Sequence, residues 1–246
     1  MTEGAADVLG TNFVGAYLQG SFAIGDADEY SDVDFLIPTN AAITTGQEGR
    51  LRSMHAGFPE RDGPWPRHLE GSYPPSDQLQ TLAAAGTEWL YVDNGHKEME
   101  RSVHDNSAVV RWSLREFGVV LAGPHPRELI DPVTAEDLRV EARGSAVLVH
   151  EWLLESWDVL DDAWTQPFVV ATFSRILYTL HEGRVTSKRQ ALLWGQEHLD
   201  PEWSDLLQQA SDDRPDPWDR AGRPARPGSA GPTKRFARYA LGLAAS

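Results

Sequence analysis

Cysteine is absent from this chain of 246 residues. That removes disulfides and thiolate metal sites, and it agrees with a reducing compartment. Long apolar runs are absent too. No stretch nears the roughly 18–20 residues that cross a bilayer, so no membrane partner is expected. The opening residues, MTEGAADVLG, lack the basic-then-apolar layout of a secretory signal, and a cytoplasmic location is the expectation. Positive charge is scarce: 22 Lys and Arg against 37 Asp and Glu leave a formal net charge of −15. A protein that follows a nucleic-acid backbone displaces counterions with a basic stripe. Apart from a basic stretch near the C-terminus the cations here are scattered, so nucleic acid is not the expected partner. The field of such a chain instead draws in cations, whether metal ions or a polycationic small molecule. What is present, 41% hydrophobic residues and nine tryptophans, fits a folded globule of one large domain or two modest ones.

The two halves differ in pattern. Val14–Gly20 and Val33–Pro38 read as short neighbouring strands, and HLEGSY, EWLYVDN and VVLAG as further ones. Ala41–His55 reads as a helix weakened by Thr44, Thr45, Gly46 and Gly49, and Asp105–Phe117 as a helix stopped by Gly118. Past Pro132 the pattern becomes helical throughout. Thr134 is read as an N-cap with Asp137 close to a capping box, and a second helix, FVVATFSRILYTLHEG, ends at Gly183. Another helix starts at Thr186/Ser187, and one more has Pro201 at its first position. Gly and Pro dominate 214–232, which reads as an irregular linker, and KRFARYALGLAA closes the chain with an amphipathic helix. The expected fold class is α+β. Residues 1–132 form a mixed β-sheet with helices, and residues 133–246 form an all-α helical bundle.

The stretch GSFAIGDADEYSDVDFLI, between the first two strands, carries the chemistry. Alternation along a strand puts Asp32 and Asp34 on one face, where like charges repel unless something positive sits between them. Mg²⁺ is held by one or two carboxylates together with a substrate's phosphates. Two carboxylates can also hold a pair of metals across a phosphoryl displacement. Gly20 lets backbone approach a phosphate closely, and Ser21 adds a hydroxyl donor. A lone Asp-x-Asp is most often a solvated strand edge. Gly-Ser, a loop and Ser-Asp-x-Asp between two apolar strands is far more specific, and it implies nucleotidyl transfer.

That stretch resembles the Gly-Ser…Asp-x-Asp signature of the polymerase-β-like nucleotidyltransferase superfamily. SRILYTLHEGRVTSKRQALLWGQEHLDPEW is similar to the C-terminal helical domain of the aminoglycoside (streptomycin/spectinomycin) adenylyltransferases, and HDNSAVVRWSLREFGVVLAGPHPRELIDPV to their connecting region. The resemblance implies a nucleotidyltransferase domain at residues 1–132 and an acceptor-binding helical domain at 133–246. The activity implied is Mg²⁺-dependent transfer of AMP from the co-substrate ATP to a hydroxyl of a small cationic acceptor, with an active site spanning both domains. It assigns Asp32 and Asp34 to the metal, Gly20 and Ser21 to the phosphates, and Glu70 to the role of general base on the acceptor hydroxyl. Lys188 would reach the β- and γ-phosphates, with Ser31 and Asn106 as further nucleotide contacts, although relatives usually carry an acid at the position of Asn106. Trp157, Asp161 and Asp162 fall where streptomycin-modifying enzymes present acidic and aromatic groups to the drug. Thr165 and Phe168 depart from that pattern, standing where those enzymes have an acid and a histidine. A monomer or weak dimer is expected.

Two rivals share the opening motif. One is a protein-AMPylating or toxin–antitoxin nucleotidyltransferase, which usually has a much shorter chain. The other is a non-catalytic nucleotide-binding regulator, against which the intact motif argues. His150, His181 and His198 lie on separate helices without metal-ligand spacing, so a histidine metal site is not expected.

Overall fold

The computed structural model describes residues 1–29, 31–63, 65–214 and 220–245. The chain divides into two compact units, Met1–Val133 and Thr134–Ser246. The first is built on six strands: β1 (Ala16–Leu18), β2 (Val33–Leu36), β3 (Leu69–Tyr73), β4 (Trp89–Val92), β5 (Met99–Ser102) and β6 (Val119–Ala122). They lie in the order β5-β4-β3-β2-β1-β6. β2 and β3 run parallel, and the other neighbouring pairs run antiparallel.

Alternation sorts side chains to the two sheet faces. One face buries Phe35, Tyr73, Leu90 and Met99 with Ala5 and Leu9 of α1 (Thr2–Leu9) and Leu51 of α3 (Thr45–Ala56). The other buries Tyr17, Leu36 and Trp89 against Leu79 of α4 (Ser76–Gln80) and Leu114 of α5 (Ala108–Phe117), with Ile130 just after α6 (Pro126–Leu129). The expected helix over Ala41–His55 starts at Thr45, where Thr44 and Gln47 form a capping box that offsets the glycines. Neither α1 nor β5 was expected. α1 has no side-chain cap, and β5 buries only Met99, so little in their local sequence marks them.

The second unit is helical. α7 (Ala135–Glu155) opens on the Thr134/Asp137 capping box. α8 (Thr165–Glu182) buries residues on every side, because α7, α9 (Lys188–His198), α10 (Ser204–Asp213) and α11 (Ala230–Ala244) all pack against it. Gly183 ends α8 in a left-handed conformation (φ 64°), as expected of a glycine at that position. Ser187 caps α9 through the Gln190 amide. Pro201 opens a short 3₁₀ turn ahead of α10 rather than an α-helix.

One boundary moves at the C-terminal end. Residues 215–219 of the expected linker lie outside the described residues. The final helix begins at Ala230, so it takes in Gly231 and Pro232. Proline is tolerated there because the first turn has no intrahelical acceptor for its missing N–H. No helix among the described residues is long and apolar enough to cross a membrane.

Candidate active site

The site is built where β1, β2, β3 and β4 present polar residues at one rim of the sheet. After β1 the chain turns into α2 (Gly20–Ala23), entered through Gln19. The Gln19 amide donates to the Asp34 carbonyl at 2.9 Å, tying the turn to β2. Gly20 has φ 58°, and a Cβ there would lie 2.7 Å from Asp34 Cγ. Only glycine allows both the backbone angle and the approach of the Asp34 carboxylate.

β2 then places Asp34 in register with Glu70 of β3. In a parallel pair, register partners point to the same face, so two carboxylates far apart in sequence become neighbours. Asp32 immediately precedes β2, and its Oδ1 accepts a hydrogen bond from Asn94 Nδ2 in the turn after β4. Four expected residues, Gly20, Asp32, Asp34 and Glu70, thus belong to one rim. Among the described residues no three of His, Asp and Glu form a metal-ligand set. A magnesium ion that takes its other ligands from nucleotide phosphates needs only two carboxylates, and Asp32 and Asp34 fit that donor requirement.

Glu70 is closely held. Its Oε1 accepts from the Tyr91 hydroxyl at 2.9 Å and lies 3.0 Å from His104 Nε2. The Glu70 hydrogen bond, then the charges of Asp105, Glu70 and Asp34, push the His104 pKa up to about 9 against the opposing effect of partial burial. Tyr91 is pushed far above its usual range, first by burial and then by the charges of Glu70, Asp93 and Asp105, so it remains a donor. Asp105, 4% exposed, accepts from Ser72 Oγ at 2.7 Å and Gln19 Nε2 at 3.1 Å. Burial raises its pKa, while the Ser72 bond and His104 act the other way.

Two other expected residues make contacts within the first unit. The Asn106 side chain donates to the carbonyls of Ala84 and Thr87 at 2.7 Å each and accepts from Arg111 Nη2 at 2.6 Å. At 3% exposure its amide ties these backbone and side-chain groups together, while the preceding residue, Asp105, turns toward Ser72 and Gln19. Ser31 Oγ donates to Asp28 Oδ1 at 3.0 Å and accepts from the Asp28 amide at 2.9 Å, so the hydroxyl closes the loop ahead of Asp32. Ser21 follows Gly20 in the first turn of α2 and is half-buried.

In the second unit, Lys188 is the first residue of α9, with Nζ 5.7 Å from the centre of the Phe168 ring. Asp161 is exposed. Asp162 accepts from the amides of Trp164 (2.8 Å) and Gly222 (2.6 Å), which makes it a local cap. Trp157 meets Lys234 and Arg238 of α11, each 5.2 Å from its ring centre. Two cations of its own chain thus engage that ring.

Sequence reading missed Tyr91, Asn94 and Gln19. The alternation Leu-Tyr-Val-Asp held a signal, because it puts Tyr91 and Asp93 on one face of β4.

Comparison with known proteins gives matches in both units. Residues 8–61 match the model of the nucleotidyltransferase domain, and residues 128–221 that of the aminoglycoside adenylyltransferase C-terminal domain. Aminoglycoside (3'') (9) adenylyltransferases of Klebsiella pneumoniae and Escherichia coli are 26% identical over 223 residues, covering 82% of this chain and 78% of theirs. The Rhizobium radiobacter enzyme of that name is 26% identical over 222 residues, covering 82% and 76%. In fold, the chain matches the spectinomycin adenyltransferase AAD(9) from Enterococcus faecialis, solved with ATP and spectinomycin. The TM-score is 0.73 at 13% identity, over 99% of this chain and 96% of that one.

Proposed function

From the premise that the chain is an aminoglycoside adenylyltransferase-like nucleotidyltransferase, we propose that it transfers AMP from ATP to a hydroxyl of a small cationic acceptor of the aminoglycoside class. The observation that carries the proposal is the register pairing of Asp34 with Glu70, beside the glycine that makes room for Asp34. Asp32 and Asp34 are the residues that would hold Mg²⁺, which neutralises triphosphate charge when bound. The backbone at Gly20 and the Ser21 hydroxyl seat the phosphates, and Lys188 is assigned to the β- and γ-phosphates.

Glu70 takes the proton of the acceptor hydroxyl as its oxygen attacks the α-phosphorus. One oxygen–phosphorus bond forms, the bond to the β-phosphate bridge breaks, and pyrophosphate leaves with the electron pair. Positioning and charge neutralisation supply most of the rate in such transfers. The exposed carboxylate of Asp161 is proposed to meet an acceptor ammonium.

The relatives' names include aminoglycosides, and the solved relative was determined with spectinomycin, which directs the choice of acceptors to test. The test is pyrophosphate release with Mg-ATP across a panel of aminoglycosides that includes streptomycin and spectinomycin. Acceptor-dependent release is the expected result. Release independent of every acceptor, or none at all, would remove the reading.

A further inference from the structure

We propose that Tyr91 and His104 are positioning residues for Glu70, two donors that fix the base by gripping one of its oxygens. The inference rests on the reading of Glu70 as the base. Both groups meet Oε1: the Tyr91 hydroxyl at 2.9 Å and His104 Nε2 at 3.0 Å. They come from different elements, β4 and the loop between β5 and α5, and their rings pack together with centres 5.3 Å apart. The grip is therefore a bracket whose two arms brace each other.

Glu70 needs such a bracket because it stands among like charges. Asp34 faces it from β2, Asp93 from the end of β4 and Asp105 from the loop before α5. A flexible glutamate in that company would swing toward solvent, and a base misplaced by an ångström loses much of its rate. The two arms differ in mobility. Tyr91 is 3% exposed, so its hydroxyl is a fixed reference point. The His104 side chain is 59% exposed and sits on a loop, so it is the less constrained arm.

The hydroxyl of Tyr91 also lies 3.2 Å from Asp93 Oδ1, a competing acceptor. One proton serves one carboxylate at a time, and the shorter distance favours Glu70. Asp93 thus gives the hydroxyl a second place to turn when Glu70 takes up its proton.

The experiment uses the full chain with Tyr91→Phe, His104→Ala and His104→Gln. With Mg-ATP and the best acceptor of the panel, Tyr91→Phe is expected to lower kcat about 10- to 100-fold while both KM values stay within about twofold. His104→Ala is expected to lower kcat about tenfold, and His104→Gln, which keeps a donor, to recover most of it. Carbon-13 NMR of the Glu70 carboxyl, assigned through Glu70→Gln, needs no acceptor and is expected to shift in Tyr91→Phe. Unchanged kcat in Tyr91→Phe, a loss confined to KM, or Gln no better than Ala at position 104 would overturn the positioning role. An unmoved Glu70 resonance would overturn it whether or not any acceptor is used. A wild-type chain that modifies no acceptor counts against the proposed function, and the NMR result then decides on the bracket alone.

Discussion

Asp34 and Glu70 are register partners across β2 and β3, the sheet's one parallel pair among the described residues. Their adjacency comes from topology, since 35 residues of chain separate them, and it costs electrostatic repulsion that a folded protein has no structural need to retain. Asp34→Asn is therefore expected to abolish turnover, by at least about 10²–10³-fold in kcat, while the melting temperature stays level or rises. Parallel measurement of pyrophosphate release and thermal unfolding checks both halves. A large drop in melting temperature would instead give Asp34 a structural role.

Gly20 offers a cleaner separation of strain from function. Its φ of 58° nearly matches the 57° of Gly10, yet a Cβ at Gly10 meets nothing within 4 Å, whereas one at Gly20 collides with the Asp34 side chain. Alanine at either site is expected to cost about 1–3 kcal/mol through the backbone angle. Gly20→Ala alone should also displace Asp34 and remove activity, while Gly10→Ala melts earlier but turns over normally. Equal activity in the two variants would break the link between Gly20 and the site.

Asn106→Ala is expected to act on stability rather than on nucleotide affinity. Its side chain joins two carbonyls and the fully buried Arg111, which itself holds the carbonyls of Gln78 and Leu79 at 2.8 and 3.0 Å. Losing those partners should destabilise the fold by about 2–4 kcal/mol. Calorimetric ATP affinity of the folded variant should remain within about twofold of wild type. A much weaker affinity at unchanged stability would return Asn106 to the nucleotide.

Acid should loosen the first unit through His55. That imidazole is 2% exposed, lies 2.7 Å from the Tyr73 hydroxyl and stacks on Phe35. Burial, with a lesser effect of the chain's N-terminal charge, pushes its pKa down to about 4 from 6.5. Because the folded value is the lower, the unfolded chain binds the extra proton first. Stability is full above pH 6.5 and is lost as pH falls toward 4, by about 3 kcal/mol. Denaturant titrations at pH 7 and pH 4.5 measure the slope, and His55→Gln should flatten it.

Local chemistry made part of this structure legible from sequence. The Thr134/Asp137 box and Gly183 each report a conformation within a few residues of themselves, and each was read in place. Features that depend on sheet order were not. Asn94 meets Asp32 across 62 positions and Tyr91 meets Glu70 across 21, and no periodicity records either contact. Asp105 and Asn106 show how fine the margin is. Both are buried, but the turn before α5 aims the first at Ser72 and Gln19 and the second at backbone carbonyls. Trp157 is an aromatic whose neighbours no local pattern records, and only the packing of α11 reveals the two cations beside it.

The most direct measurement follows label from α-phosphate-labelled ATP onto an aminoglycoside, for wild type and Glu70→Ala, with ATP binding measured alongside. The account predicts a labelled acceptor with wild type, and with Glu70→Ala near-normal ATP binding but no label transferred. Transfer by Glu70→Ala at a rate close to wild type would contradict it.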